Sequence, residues 1–201
     1  MIARLINGFV SFMIIRGVIP DTEDQREIYS YGLELQIYYA IHAAVLLSIG
    51  LVFGRAFEME LLLFLFGLIQ SNGGGYHANT HGKCLTLMVM GALLFLALFP
   101  LYQRSVPLQI MSVLVGLMAV VCLAPIAHKN HPLNPEKSKA MGKKAKYLAC
   151  GISLLWCVLS FLSVFPSAQA VISITMAFSC ASMVSAWVKK HVKGKVSLGE
   201  T

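Results

Sequence analysis

Apolar residues along this chain gather into long uncharged runs parted by short polar stretches. Five runs, at 37–54, 85–101, 106–127, 147–165 and 168–188, contain no Asp, Glu, Lys or Arg. As helices rising about 1.5 Å per residue they measure roughly 25–33 Å, enough to cross a hydrocarbon core. A sixth run at 59–69, MELLLFLFGLI, reaches only about 16 Å as a helix. It crosses by borrowing Ala56 and Phe57 before it and Gln70 to Asn72 after it, with local thinning of the bilayer, or else it is re-entrant. The pattern predicts an all-α, polytopic membrane protein with about six transmembrane helices.

Residues 1–36 follow a different period. Ile2, Leu5, Ile6, Phe9 and Met13 recur at helical spacing with Arg4 and Arg16 at the flanks, which predicts an interfacial amphipathic helix. A signal peptide is the rival reading, but Arg16 ends the apolar run and no small-x-small cleavage site follows. Pro20 closes the segment, and Thr22 with Gln25 three residues on forms a capping-box pattern for a helix running through Glu34 into the first span. The expected organisation is an N-terminal helical segment at 1–36, a membrane domain at 37–188 and a tail at 189–201.

Composition agrees. Hydrophobic residues make up 57% and charged residues 12%, about half the charged share of an ordinary soluble domain. The net charge of +7 does not form a nucleic-acid groove, because the basic residues are scattered among apolar runs. Charge sets the orientation instead. With a cytoplasmic N-terminus, fourteen of the sixteen basic side chains fall on inner segments: three in 1–36, Lys83 in 70–84, six in 128–146 and four in the tail. Only Arg55 and Arg104 remain outside, as the positive-inside bias requires. The cytoplasmic loop at 128–146 carries Lys137, Lys139, Lys143 and Lys144 among its lysines and suits anionic lipid headgroups, or an acidic peptide. In the last span Ser173, Ala177, Ala181 and Ser185 form a small-residue stripe that lets another helix approach, from this chain or a second copy.

Reactive residue types concentrate in one inner loop, QSNGGGYHANTHGKC, from Gln70 to Cys84. Cys122, Cys150, Cys157 and Cys180 lie inside apolar runs and read as packing residues, whereas Cys84 does not. A thiol needs a base or cation to become nucleophilic, and an imidazole supplies both. His77 and Cys84 are the candidate pair, with His81 as competing base. On an unbroken helix seven residues would hold that pair about 10 Å apart, too far for direct proton transfer. The chain is therefore expected to bend between Asn79 and Gly82, or the partners come from two chains. Zinc held by His77, His81 and Cys84 is an alternative that lacks a fourth ligand, and a plain polar turn is another. Asn72 and Asn79 are the nearest side chains for orienting His77. The amides of Gly73, Gly74 and Gly75 are candidates for an oxyanion hole. Glu34 is placed either to pair with Lys83 or a loop lysine, or to remain a solvated helix-end carboxylate.

The GG-Y-H-A segment with a cysteine seven residues after its histidine, on an inner loop between two short spans, resembles the accessory gene regulator B (AgrB-like) family. Tyr31-Gly32-Leu33-Glu34 looks like the family's YGLE-type segment, and Ala124-Pro125 followed by Lys129 and Pro132 like the segment closing the fourth span. Where members often carry an arginine before the glycines, this chain has Gln70. The resemblance implies a cysteine endopeptidase of the bacterial cell membrane in which Cys84 is the nucleophile and His77 the base. It also implies an AgrD-like precursor peptide as substrate, closed to a thiolactone or lactone autoinducer for quorum sensing, and a homodimer. No metal or other cofactor is implied. On that reading the lysines at 137, 139, 143 and 144 attract an acidic tail of the precursor. The reading from another class is a non-enzymatic transporter or channel subunit with a ligand- or metal-binding Gly/His/Cys loop, against which the five long uncharged runs hold no charged residue to mark an ion path.

Overall fold

A computed structural model describes residues 2–76, 78, 80–126 and 135–196. The described residues form seven helices and no strand: α1 Ile2–Ile15, α2 Glu23–Val52, α3 Ala56–Gly73, α4 His81–Arg104, α5 Val106–Leu123, α6 Pro135–Phe161 and α7 Pro166–Val196. Five of them, α2, α4, α5, α6 and α7, are long and apolar enough to cross a membrane. The protein is a multi-pass, all-helical membrane protein.

Two compact units divide the chain, Met1–Val45 and Leu46–Thr201. In the first, α1 packs on the start of α2. Ile6, Val10 and Ile19 are buried with Met13, Ile14, Leu33 and Ile37 against them. Leu5, Phe9 and Phe12 stay exposed on another face of α1, the amphipathic arrangement that the spacing predicts. Thr22 Oγ1 accepts from the Gln25 amide at 3.4 Å, so α2 begins where the capping pattern places it.

The second unit is built around α7. Seven consecutive residues, Ala170 to Met176, are buried, so this stretch is enclosed on every side; α3, α4, α5 and α6 all pack against it. Its hydroxyls there are satisfied internally, Ser173 donating to Gln169 O and Thr175 to Val171 O, each at 2.8 Å. In lipid, helix association gains nothing from moving apolar surface away from water, so close packing and polar contacts hold the bundle. A close helix crossing is at Gly116 of α5, where an added Cβ would lie 2.5 Å from the Met176 carbonyl oxygen. The residue that allows this crossing is on α5, outside the small-residue stripe of α7.

The sixth run is helical well beyond 59–69. As α3 it recruits Ala56 and Phe57 ahead and Gln70 to Gly73 behind. Glu58 and Glu60 near its start and three polar residues near its end keep it out of the five clearly apolar spans. Met59, Leu62, Leu65, Ile69 and Gly73 are buried along one face, and α3 packs on α6 and α7. It is an inner helix of the bundle.

The basic loop expected at 128–146 is shorter than the charge pattern suggests. α6 starts at Pro135, a residue suited to a first helical turn, and lysines with Ala and Met continue it. Lys139, Lys143 and Lys144 are exposed while Gly142, Ala145 and Ala149 face inward. Lys139, Lys143 and Lys144 therefore lie on the exposed side of a helix.

Candidate active site

The glycine-rich segment begins where α3 stops. Gly74 takes φ 73°, and its N–H donates to Gln70 O at 3.0 Å, ending the helix. A side chain there would run into the carbonyl oxygen of Ile126; both the backbone angle and the contact call for glycine. Beside it, the Ile126 amide donates to Gly73 O at 2.9 Å. Gly75 allows a second close approach, since an added Cβ would lie 2.7 Å from Ser182 Oγ and 2.9 Å from Gln70 Cδ.

Those two side chains close a ring on the next residue. Tyr76 N–H donates to Ser182 Oγ at 3.0 Å. Ser182 Oγ donates to Gln70 Oε1 at 3.1 Å, and Gln70 Nε2 donates to Tyr76 O at 3.1 Å. Two turns further along α7, Lys189 Nζ sits 4.6 Å from the centroid of the Tyr76 ring, a cation–π contact. The first turns of α6 reach the same place: an added Cβ on Gly73 would be 3.4 Å from that of Ala145, and one on Gly142 2.5 Å from Pro125 Cδ. The glycine segment, the lysine-bearing start of α6 and the basic end of α7 thus share one end of the second unit.

Cys84 lies in the first turn of α4 and is half-buried. Thr80 starts this helix. Its backbone is extended, its Oγ1 accepts from Lys83 N–H at 3.3 Å, and its carbonyl accepts from Cys84 N–H at 3.0 Å. Between α3 and α4 the described residues 74–76, 78 and 80 are non-helical, so no single helix joins position 77 to Cys84. Gly82, expected to break the helix, is inside α4, because the Thr80 cap sets the start two residues earlier. His77 and Asn79, and the side chains of His81 and Lys137, lie outside the described residues.

Other expected site residues are placed differently from one another. Asn72 Nδ2 turns back to Leu68 O at 2.9 Å and Ser71 Oγ at 3.1 Å; it serves the end of α3. The Gly74 amide is bonded to Gln70 O, and the Tyr76 amide to Ser182. Glu34 belongs to the first unit, on α2. Cys122, Cys150 and Cys157 are exposed on α5 and α6, where packing inside was expected, because those helices turn these faces away from the bundle. Sequence reasoning missed Ser182 and Lys189 altogether. A serine among the many small residues of α7 carries no local signal, whereas Gln70, polar at the end of an apolar helix, does.

A model of the family described as accessory gene regulator B matches residues 7–187. The chain is 28% identical over 151 residues to AgrB-like protein 2 of Clostridium perfringens strain 13, covering 72% of this chain and 71% of that protein. It is 27% identical over 146 residues to an AgrB-like protein of Clostridium perfringens strain SM101, covering 69% and 68%. No solved structure matches. With the family pattern running from α1 through most of α7, the chain belongs to the accessory gene regulator B family, and with it to accessory gene regulator quorum sensing.

Proposed function

We propose that the protein is a membrane cysteine endopeptidase that removes the C-terminal part of an AgrD-like precursor peptide and closes the remainder into a thiolactone or lactone. The observation that carries the reading is the position of Cys84. It is the cysteine in the first turn of a helix that directly follows an anchored, glycine-rich segment, and His77 precedes it by seven residues on a stretch that is not one helix. The lysines of α6 and Lys189 and Lys190 of α7 gather positive charge at that end, an attraction for an acidic precursor tail. Placing this end on the cytoplasmic side satisfies the positive-inside bias.

In the first step the Cys84 thiolate attacks the scissile carbonyl. The C–N bond breaks, His77 delivers the thiol proton to the leaving amine, and the peptide body remains as a thioester on Cys84. In the second step a precursor thiol attacks that thioester. Its S–C bond forms as the bond to Cys84 breaks, and the proton passes through His77 back to Cys84. A precursor serine in its place yields a lactone. No water or nucleotide is consumed. Exchanging an amide for a thioester is uphill, so departure of the tail and the enforced proximity of the reacting groups must drive it. Water must also be kept from the thioester, which a half-buried sulfur beside the bilayer favours.

Purified protein in lipid, incubated with the peptide encoded beside it and read by mass spectrometry, tests this. Cys84→Ala should abolish both cleavage and the cyclic product, which is one water lighter than its linear form, while Cys122→Ala should process normally. A Cys84→Ala protein that still cuts the precursor refutes the proposal.

A further inference from the structure

We infer that Gln70 and Ser182 are positioning residues: their hydrogen-bonded ring fixes the backbone of Tyr76 and so presents the residue that follows it for catalysis. The inference rests on the peptidase reading above.

Ser182 behaves unlike Ser173, Thr175 and Ser185 of the same helix. A serine or threonine in a helix ordinarily bonds back to the carbonyl four residues earlier. Ser173, Thr175 and Ser185 do so, at 2.8, 2.8 and 2.7 Å. Ser182 instead donates its one proton to a side chain of another helix and accepts from a loop amide. Both polar groups of the Tyr76 backbone are thereby held, the amide by Ser182 and the carbonyl by Gln70. The ring also fixes which way the Gln70 amide faces. Turned over, its oxygen would confront the Tyr76 carbonyl and repel it. The Lys189 contact holds the Tyr76 ring from the same helix, and Gly75 is the residue small enough to lie under the closed ring. His77 follows directly in the chain. A base displaced by an ångström loses on the order of a hundredfold in rate, so a device that fixes its neighbour acts on turnover more than on peptide binding.

Steady-state processing and amide exchange together test this. Ser182→Ala should lower kcat by about ten- to a hundredfold with KM within about twofold, and Ser182→Thr, which keeps the hydroxyl, should restore most of it. The Tyr76 amide should exchange slowly in the wild type and fast in Ser182→Ala. Gln70→Glu supplies a readout within one folded protein. A neutral carboxyl donates to the Tyr76 carbonyl and accepts from Ser182 as the amide does, whereas a carboxylate cannot donate. Its rate relative to wild type should therefore rise several-fold as pH falls from about 8 to about 6, approaching the carboxyl range. Lys189 is the charge that the described residues place at this ring, and it faces Tyr76. A relative rate of Gln70→Glu independent of pH, or Ser182→Ala at wild-type kcat, overturns the assignment, and the Gln70→Glu arm decides if Ser182→Ala does not fold. A wild type that does not process the peptide although its Tyr76 amide is protected sinks the peptidase reading; equally fast Tyr76 exchange in the wild type and Ser182→Ala sinks the ring itself.

Discussion

At the end of the second unit where α4 meets α5, the connections are short: Ser105 alone between α4 and α5, 53–55 between α2 and α3, and 162–165 between α6 and α7. Several polar side chains at that end bond across the bundle. Gln109, 2% exposed, donates to Tyr102 O at 2.7 Å and accepts from Trp156 Nε1 at 3.1 Å, while Tyr102 OH meets Ser112 Oγ at 2.7 Å. Gln169 donates to the carbonyls of Leu159 and Val164, at 3.1 and 2.8 Å, and Gln103 donates to Ser167 at 3.0 Å. At the opposite end the connections are 74–80 and 124–134, and Cys84, the glycines and the lysines collect around them. In lipid each satisfied interhelical hydrogen bond contributes about 0.6–2 kcal/mol. The first end spends its polar groups on holding the bundle. At the second, the Gln70–Ser182 ring holds one loop residue, Tyr76, on the segment that leads to Cys84.

If that contrast is sound, variants at the two ends should separate activity from stability. The largest effect is expected from Gly74→Ala. The φ of 73° and the Ile126 carbonyl leave no room for a methyl group, so the segment must move and processing should fall by about a hundredfold. Its melting temperature, followed by size-exclusion fluorescence after heating, should change less than that of the next variant. Gln109→Ala strips the Trp156 N–H of its acceptor and should cost about 1–2 kcal/mol of stability. Processing per folded molecule should stay within about twofold of wild type, since nothing at the nucleophile's end has been touched. Equal losses of activity and stability in both variants would erase the distinction between the ends.

The smallest effect is expected outside both, in the first unit. Asp21 accepts a hydrogen bond from Arg26 at 2.8 Å, and that bond, with the guanidinium charge, holds its carboxyl below the ordinary 3.8. A carboxyl lowered on folding stabilises above its unfolded value, and that contribution is lost as pH falls through the folded one. Both partners are solvent-exposed, so the stability change should be slight. The expected signature is an NMR titration of Asp21 with a midpoint below 3.8 that moves up in Arg26→Ala.

Part of the candidate site is legible in the sequence. A cysteine outside the apolar runs, two histidines and three glycines within fifteen residues mark one segment. Thr80, a residue of good N-cap type, starts α4, and this cap rather than Gly82 sets where the helix begins. Asn72, close to His77 along the chain, bonds back into its own helix through Nδ2.

Hydropathy and charge act residue by residue, and a helix reports its apolar length and its capping residues in consecutive letters. From those letters alone followed the helical class, the membrane, the start of α2 at the Thr22 cap and the glycine-rich segment ahead of Cys84, but not the place of Cys84 in the first turn of α4. Which side chains meet across the bundle is set by packing between helices far apart in the chain. The hydrogen bond from Ser182 to Gln70 joins residues 112 positions apart, the crossing of α5 on α7 depends on Gly116 meeting Met176, and α3 takes an interior place that its short apolar run does not announce. Only the tertiary structure decided these, because no periodicity within one helix encodes the register of another against it.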